Sequence, residues 1–315
     1  MNIDLAPLRR LSAKLGQNLD LVQAGGGNTS LKDDGTLWVK ASGKWLARAT
    51  EEEMFLPVPL TDILGSMDGD SEYTEEFITS SGMKLRPSVE TSMHAVLPQR
   101  VVLHVHSVRT IAWAVRTDVP GALHDRLNGL CWEWIPYVHP GVVLGREIRN
   151  RLSSQPDVLI LGNHGLIVAA DDFDSAETLL DEVERRLDLP VRPAPPADLE
   201  GLSHPGFTIA PDDEVHALAT DPVSFKIANL GTFYPDQCVY LGPALAKARL
   251  IPGKGVLVEN GLSRAGREVL ISVKRVIERV TQPVRTLPDC EVSRLLNWDA
   301  EKYRIALAKQ YEVTQ

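Results

Sequence analysis

The stretch from Arg86 to Ser107 constrains this chain more than any other. Pro87 and Ser88 form a helix start signal, and Pro98 closes the helix that follows. Val101, Leu103 and Val105 then alternate with Val102, His104 and His106. Residues i and i+2 of a strand share a face, so this pattern sets two imidazoles side by side, about 7 Å apart along the chain. Two imidazoles so placed can converge on one metal ion, and Glu90, at the start of the preceding helix, can swing toward the same point. On this pair alone, a metal site and a pair of solvated or hydrogen-bonded histidines stand level.

A third histidine shifts that balance. Leu159–Leu161 and Leu166–Val168 flank Gly162-Asn163-His164-Gly165, which predicts a hairpin with His164 at or near its tip. Three histidines and a carboxylate suit Zn²⁺ with an open coordination position, with Mn²⁺ or Co²⁺ as substitutes.

The order Pro-Ser-x-Glu, His-x-His and His-Gly between apolar runs resembles the class II aldolase/adducin superfamily over residues 1–190. That superfamily includes fuculose-phosphate and rhamnulose-phosphate aldolases, a 4-epimerase, and related decarboxylases and dehydratases. The resemblance implies His104, His106 and His164 as metal ligands and Glu90 as the catalytic carboxylate. It implies a three-layer αβα sandwich on a mostly antiparallel sheet, a homo-oligomer such as a ring-like tetramer, and a phosphorylated sugar or sugar acid as substrate. Two further segments match the family's phosphate site. The first is Gly25-Gly26-Gly27-Asn28-Thr29, where glycines let the backbone come close to a ligand. The second is Ser42-Gly43-Lys44, which offers a hydroxyl, a backbone N–H and a compact charge.

Two departures from the family pattern matter. Family members commonly carry two serines before the glutamate; here Ser88 is followed by Val89, and Arg86 supplies a nearby charge. A tyrosine proton donor of the sugar-phosphate aldolases has no counterpart near Asp125. His124 and His139 read as structural or solvated, and His94 as packed locally.

Composition narrows the partners. A net charge of −9 argues against nucleic acid, which needs clustered basic residues. No run reaches the ~18 apolar residues of a membrane span, and no signal peptide is visible. Cys131, Cys238 and Cys290 suggest no disulfide framework, which fits a cytoplasmic location.

Helices are expected over 5–19, 110–115, 142–152 and 171–187, and an acidic loop with a short helix over 61–80. Residues 191–198 are Pro-rich and read as an extended linker. Beyond them, 199–315 read as a small α/β domain. Strands are expected at 238–241 and 255–258, and helices at 263–280 and 291–310. No motif there carries chemistry, and Tyr234 and Asp236 read as turn-shaping residues. The expected activity is metal-dependent aldol cleavage of a ketose phosphate or sugar-acid phosphate through an enediolate. The rivals are a decarboxylase of a 3-oxo sugar-acid phosphate, a dehydratase or 4-epimerase, and, outside enzymes, an adducin-like interaction module.

Overall fold

The computed structural model describes residues 3–68 and 85–313. Much of the stretch expected at 61–80, and Ser80 to Lys84, lie outside the described residues; Leu60–Ser66 is a helix.

Among the described residues, seven strands form one mixed sheet: β1 Asn28–Asp33, β2 Thr36–Lys40, β3 Phe55–Pro59, β4 Val101–Val105, β5 Trp132–Ile135, β6 Val158–Leu161 and β7 Gly165–Ala170. Their spatial order is β3-β2-β1-β4-β7-β6-β5. All neighbours are antiparallel except β5 and β6. The sheet is therefore mostly antiparallel. Its central strands are apolar on both faces, as burial under helices on both sides requires. Val101, Leu103 and Val105 pack into one core cluster with Leu8, Leu11, Leu180 and Val183, from the helices Ala6–Gly16 and Phe173–Arg186. On the other face Val102 packs with Met93 of Thr91–Val96, and with Leu144 and Ile148 of Val142–Asn150.

The register decides where the site can lie. Asn28 at the start of β1 pairs with His104 in β4, and His104 pairs with Ile167 in β7. Antiparallel neighbours bring the start of β1, the end of β4 and the start of β7 to one edge of the sheet. His106 just past β4 and His164 just before β7 fall at that edge.

The C-terminal part contains a second sheet, ordered β8-β10-β9, from β8 Phe207–Ile209, β9 Ala248–Ile251 and β10 Gly255–Glu259. The strand expected over 238–241 is instead part of the helix Pro235–Leu241. Pro235 sits in its first turn, and every residue of the helix is buried. Burial on all sides erases the amphipathic period, and a short apolar run then reads as a strand. The helix expected over 263–280 is Arg264–Ile277, with Ser263 capping it by accepting from the Gly266 N–H. The helix expected over 291–310 is broken at Trp298 into Asp289–Asn297 and Asp299–Val313.

This region is joined to the sheet through one core cluster. Val108, Ile111, Ala112 and Val115, in or beside the helix Val108–Ala114, pack with Val269, Val273 and Val276. The Pro-rich stretch is extended but pinned. Arg192 donates to Asp221 Oδ2 (3.1 Å), Ser224 Oγ (2.9 Å), the Ile277 carbonyl (2.8 Å) and the Val280 carbonyl. Among the described residues, no helix is long and apolar enough to cross a membrane.

Candidate metal centre and the cavity beside it

His104, His106 and His164 form a buried triangle. Their ring centroids lie 5.0, 5.0 and 5.4 Å apart, and each ring offers a ligand atom within 4.8 Å of the others. The donor set suits a transition ion. His104 Nδ1 donates to the Leu166 carbonyl at 3.0 Å, and His106 Nδ1 donates to Asp236 Oδ2 at 2.8 Å. Both bonds fix the tautomer that leaves Nε2 as a bare lone pair. The Nε2 atoms of His104 and His106 are buried and have no hydrogen-bond partner among the described residues. A buried polar atom without a partner costs free energy, and a metal ion is the partner these atoms fit. Burial also pushes the His104 imidazole well below its ordinary pKa, against the opposing pull of Glu90; the neutral form is the one that ligates.

Glu90 occupies the N-cap position of Thr91–Val96. Its Oε1 lies 3.1 Å from His164 Nε2 and 3.6 Å from His104 Nε2, and its Oε2 accepts from Asn28 Nδ2 at 2.5 Å. Burial alone would raise this carboxyl. The imidazoles of His104, His164 and His106 outweigh that effect and hold it well below the usual carboxylate range. Glu90 is thus ionised at neutral pH and restrained by a neutral amide.

A partly open cavity lies beside this cluster. Asn28, Ser42, Gly43, Ser88, Glu90 and His164 all line it, so segments far apart in sequence converge there. Ser88 is held by its N–H bonding to the Lys40 carbonyl, and Ser42 by its N–H bonding to the Arg86 carbonyl.

Three expected residues take other places. Thr29 is one position along β1 from Asn28, so its side chain faces away; its Oγ1 bonds Ser12 Oγ at 2.6 Å. Lys44 Nζ pairs with Glu52 at 2.7 Å. Arg86 stacks over the Tyr303 ring at 4.4 Å. The lysine that lines the cavity is Lys40. Its buried Nζ donates to the carbonyls of Gly25 and Lys44, both at 2.8 Å, tying the glycine loop to the Ser42-Gly43 turn. Desolvation, with a smaller contribution from the Arg304 charge, lowers its pKa to about 7. The sequence carried a signal for it: in Leu37-Trp38-Val39-Lys40 the apolar residues 37 and 39 share one face, so Lys40 shares the other with Trp38.

The C-terminal part supplies residues that the sequence did not mark. Asp236, Glu301 and Arg304 line the cavity. Arg304 Nη2 donates to Asp236 Oδ1 at 2.5 Å and its Nε to Glu301 Oε2 at 2.7 Å. Burial would raise the Asp236 carboxyl, but Arg304 and His106 drive it down. The terminal helix also closes on the Ser42 turn: Gly43 has φ +74°, and a Cβ there would lie 2.7 Å from Leu307. His94 bonds Ser30 Oγ at 2.8 Å, and His139 bonds Glu291 at 2.7 Å; neither is part of the three-histidine cluster.

The model of the Class II Aldolase and Adducin N-terminal domain matches residues 8–190. The chain belongs to this family. A methylthioribulose-1-phosphate dehydratase of Microcystis aeruginosa is 30% identical over 181 residues, covering 50% of this chain and 80% of that protein. A Bacillus subtilis protein described as uncharacterized oxidoreductase YuxG is 29% identical over 170 residues. That match covers 49% of this chain but only 24% of the Bacillus protein. Among solved structures, the N-terminal class II aldolase domain of a conserved Thermoplasma acidophilum protein superposes with a TM-score of 0.51 at 27% identity. It covers 59% of this chain and 93% of that one. The L-fuculose-1-phosphate aldolase of Thermus thermophilus gives 0.39 at 19%, covering 58% and 93%. The matched family segment ends at residue 190, so Asp236, Glu301 and Arg304 lie beyond it.

Proposed function

We propose that this class II aldolase family member is a metal-dependent lyase that cleaves a ketose phosphate or a related sugar-acid phosphate. One observation carries the reading. Three buried imidazoles with converging ligand atoms and an ionised carboxylate stand at one end of a cavity, and hydroxyl, N–H and ammonium donors line the same space. His104, His106 and His164 would hold the ion, zinc or in its place manganese or cobalt. When bound, the ion would supply Lewis-acid stabilisation of the negative charge that develops as the C–C bond breaks.

The remaining steps belong to the chain's own groups. Ser42, Gly43, Ser88 and Lys40 anchor the substrate's phosphate and so orient the reacting end. Glu90 Oε1 carries the proton to and from the substrate carbon beside the carbonyl, or its hydroxyl. Asn28 holds Glu90 Oε2 and keeps the other oxygen on the reacting side. The glycine loop and the terminal helix wall the cavity through Gly25, Gly27 and Arg304. We propose a homo-oligomer as the working assembly, which sedimentation would test.

A second reading, a dehydratase on the same scaffold, is favoured by the name and 30% identity of the Microcystis relative. Incubating the zinc-loaded protein with phosphorylated ketoses and sugar acids, and weighing the products by mass spectrometry, separates the two. Aldol cleavage yields two fragments whose masses sum to the substrate. Dehydration yields one product lighter by a single water. No turnover of any phosphorylated sugar, with or without metal, would overturn both.

A further inference from the structure

We propose that Asp236 is a positioning residue of the metal centre, and that the C-terminal region is the outer shell of that centre rather than a separate module. The inference rests on the metal-dependent reading above and adds to it a role for residues outside the matched family segment.

An imidazole ligates through one nitrogen only when the other carries the proton. His104 meets that condition within the sheet, through the Leu166 carbonyl. His106 has no such partner in the sheet and meets it through Asp236 Oδ2 at 2.8 Å, 130 residues away in sequence. A carboxylate in this place fixes the ring's tautomer and orientation and raises the basicity of the ligating nitrogen. Asp236 is itself held. It is 2% exposed, it lies in the first turn of Pro235–Leu241, and its Oδ1 takes the Arg304 guanidinium at 2.5 Å. Arg304 is in turn fixed by Glu301, one turn earlier on the terminal helix. The result is a continuous buried path from Glu301 through Arg304 and Asp236 to His106.

A second, independent observation comes from the glycine loop. A Cβ at Gly26 would lie 2.8 Å from Asp236 Oδ2 and 2.8 Å from His106 Nδ1. The backbone at residue 26 therefore passes directly against this pair, and only glycine leaves room for it. The triple glycine serves the hydrogen bond that orients a ligand as well as the cavity.

The alternative is that Asp236 only glues the two parts of the chain together. Glu291 separates the two ideas. It ties the same regions by accepting from Tyr137 Oη and His139 Nδ1, both at 2.7 Å, and it touches none of the three clustered histidines.

The test is the affinity of purified protein for Zn²⁺ alone, measured against a chromophoric chelator, with the absorption spectrum of the Co²⁺-substituted protein and the circular dichroism of the metal-free form. In Asp236→Asn, Arg304 draws the amide oxygen to itself, so the amide N–H₂ faces His106 and forces the wrong tautomer. We expect zinc affinity to fall about 10- to 100-fold, an altered cobalt spectrum and unchanged secondary structure. Glu291→Gln should stay within about twofold of wild type, since an outer partner's effect is local to its ligand. Gly26→Ala, which wedges the pair apart from the other side, should also weaken zinc and serves if Asp236→Asn does not fold. Wild-type affinity in Asp236→Asn or, where that variant is unfolded, in Gly26→Ala overturns the proposal. So does an equal loss in Glu291→Gln. A wild-type protein that binds no zinc would instead bring down the metal reading itself.

Discussion

The two sides of the cavity are built by different means. On the sheet side, Asn28 and His104 are fixed within the strand ladder, and His106 and His164 stand one residue beyond the ends of β4 and β7. On the C-terminal side, Asp236, Glu301 and Arg304 are fixed by ion pairs, Asp236 to Arg304 between two helices distant in sequence and Glu301 to Arg304 within the terminal helix. The sheet side can tolerate loss of a neighbour because its backbone does the positioning. The helix side cannot, because each charge there is buried and depends on its partner. Chemistry is thus expected to concentrate on the sheet side, and tuning and closure on the other.

The sharpest way to break this comparison is Glu90→Gln. It keeps the side chain's shape and removes the ionised oxygen beside His164. Turnover should fall by roughly 10²–10⁴ while metal content stays near normal; steady-state kinetics with elemental analysis would check it. Wild-type turnover would move the proton transfer elsewhere in the cavity.

Arg192→Ala tests the claim that the Pro-rich stretch is pinned. Removing a guanidinium that holds a carboxylate, a hydroxyl and two carbonyls should lower stability by about 2–4 kcal/mol, read by urea unfolding. The turnover of the folded fraction should not change. An unchanged midpoint would mean that the stretch is a free tether after all.

Lys40 and Lys44 form a matched pair with opposite expectations. Lys40→Met should raise KM for a phosphorylated substrate about tenfold, the worth of one charge-assisted hydrogen bond. The Lys40 ammonium, lowered by burial to about 7, is charged below that pH and neutral above it. Sulfate, a dianion throughout, should therefore compete with substrate best below about pH 7 and progressively less as pH rises through it; Lys40→Met should flatten that dependence. Lys44→Ala, whose ammonium is engaged by Glu52, should change KM by less than about twofold. Reversal of the two results would return the anion site to the residue that the sequence first suggested.

The same division explains what the sequence revealed. His104 and His106 were legible because a strand has a period of two and the apolar residues Leu103 and Val105 alternate with them. His164 was legible because a Gly-Asn-His-Gly turn lay between two apolar runs. Asn28 and Thr29 were equally plausible until β1 was seen to begin at Asn28, after which alternation allows only the first to reach the cavity. Lys44 attracted notice as part of a Ser-Gly-Lys turn, whereas Lys40 hid at the end of a buried strand. Asp236 was not legible at all. Phe233-Tyr234-Pro235-Asp236 signals a turn, and nothing local says that this carboxylate will meet a histidine 130 residues earlier. Long-range ion pairs leave no periodic mark on a chain; strand faces do.

The central claim is that His104, His106 and His164 together hold one catalytic ion, and it can be measured directly. Elemental analysis of the purified protein should find about one divalent transition ion per chain, and His104→Ala should reduce that to near zero because two ligands cannot complete the site. Activity should vanish in chelator and return on adding Zn²⁺. A wild-type protein free of metal that keeps full activity in chelator would contradict the account.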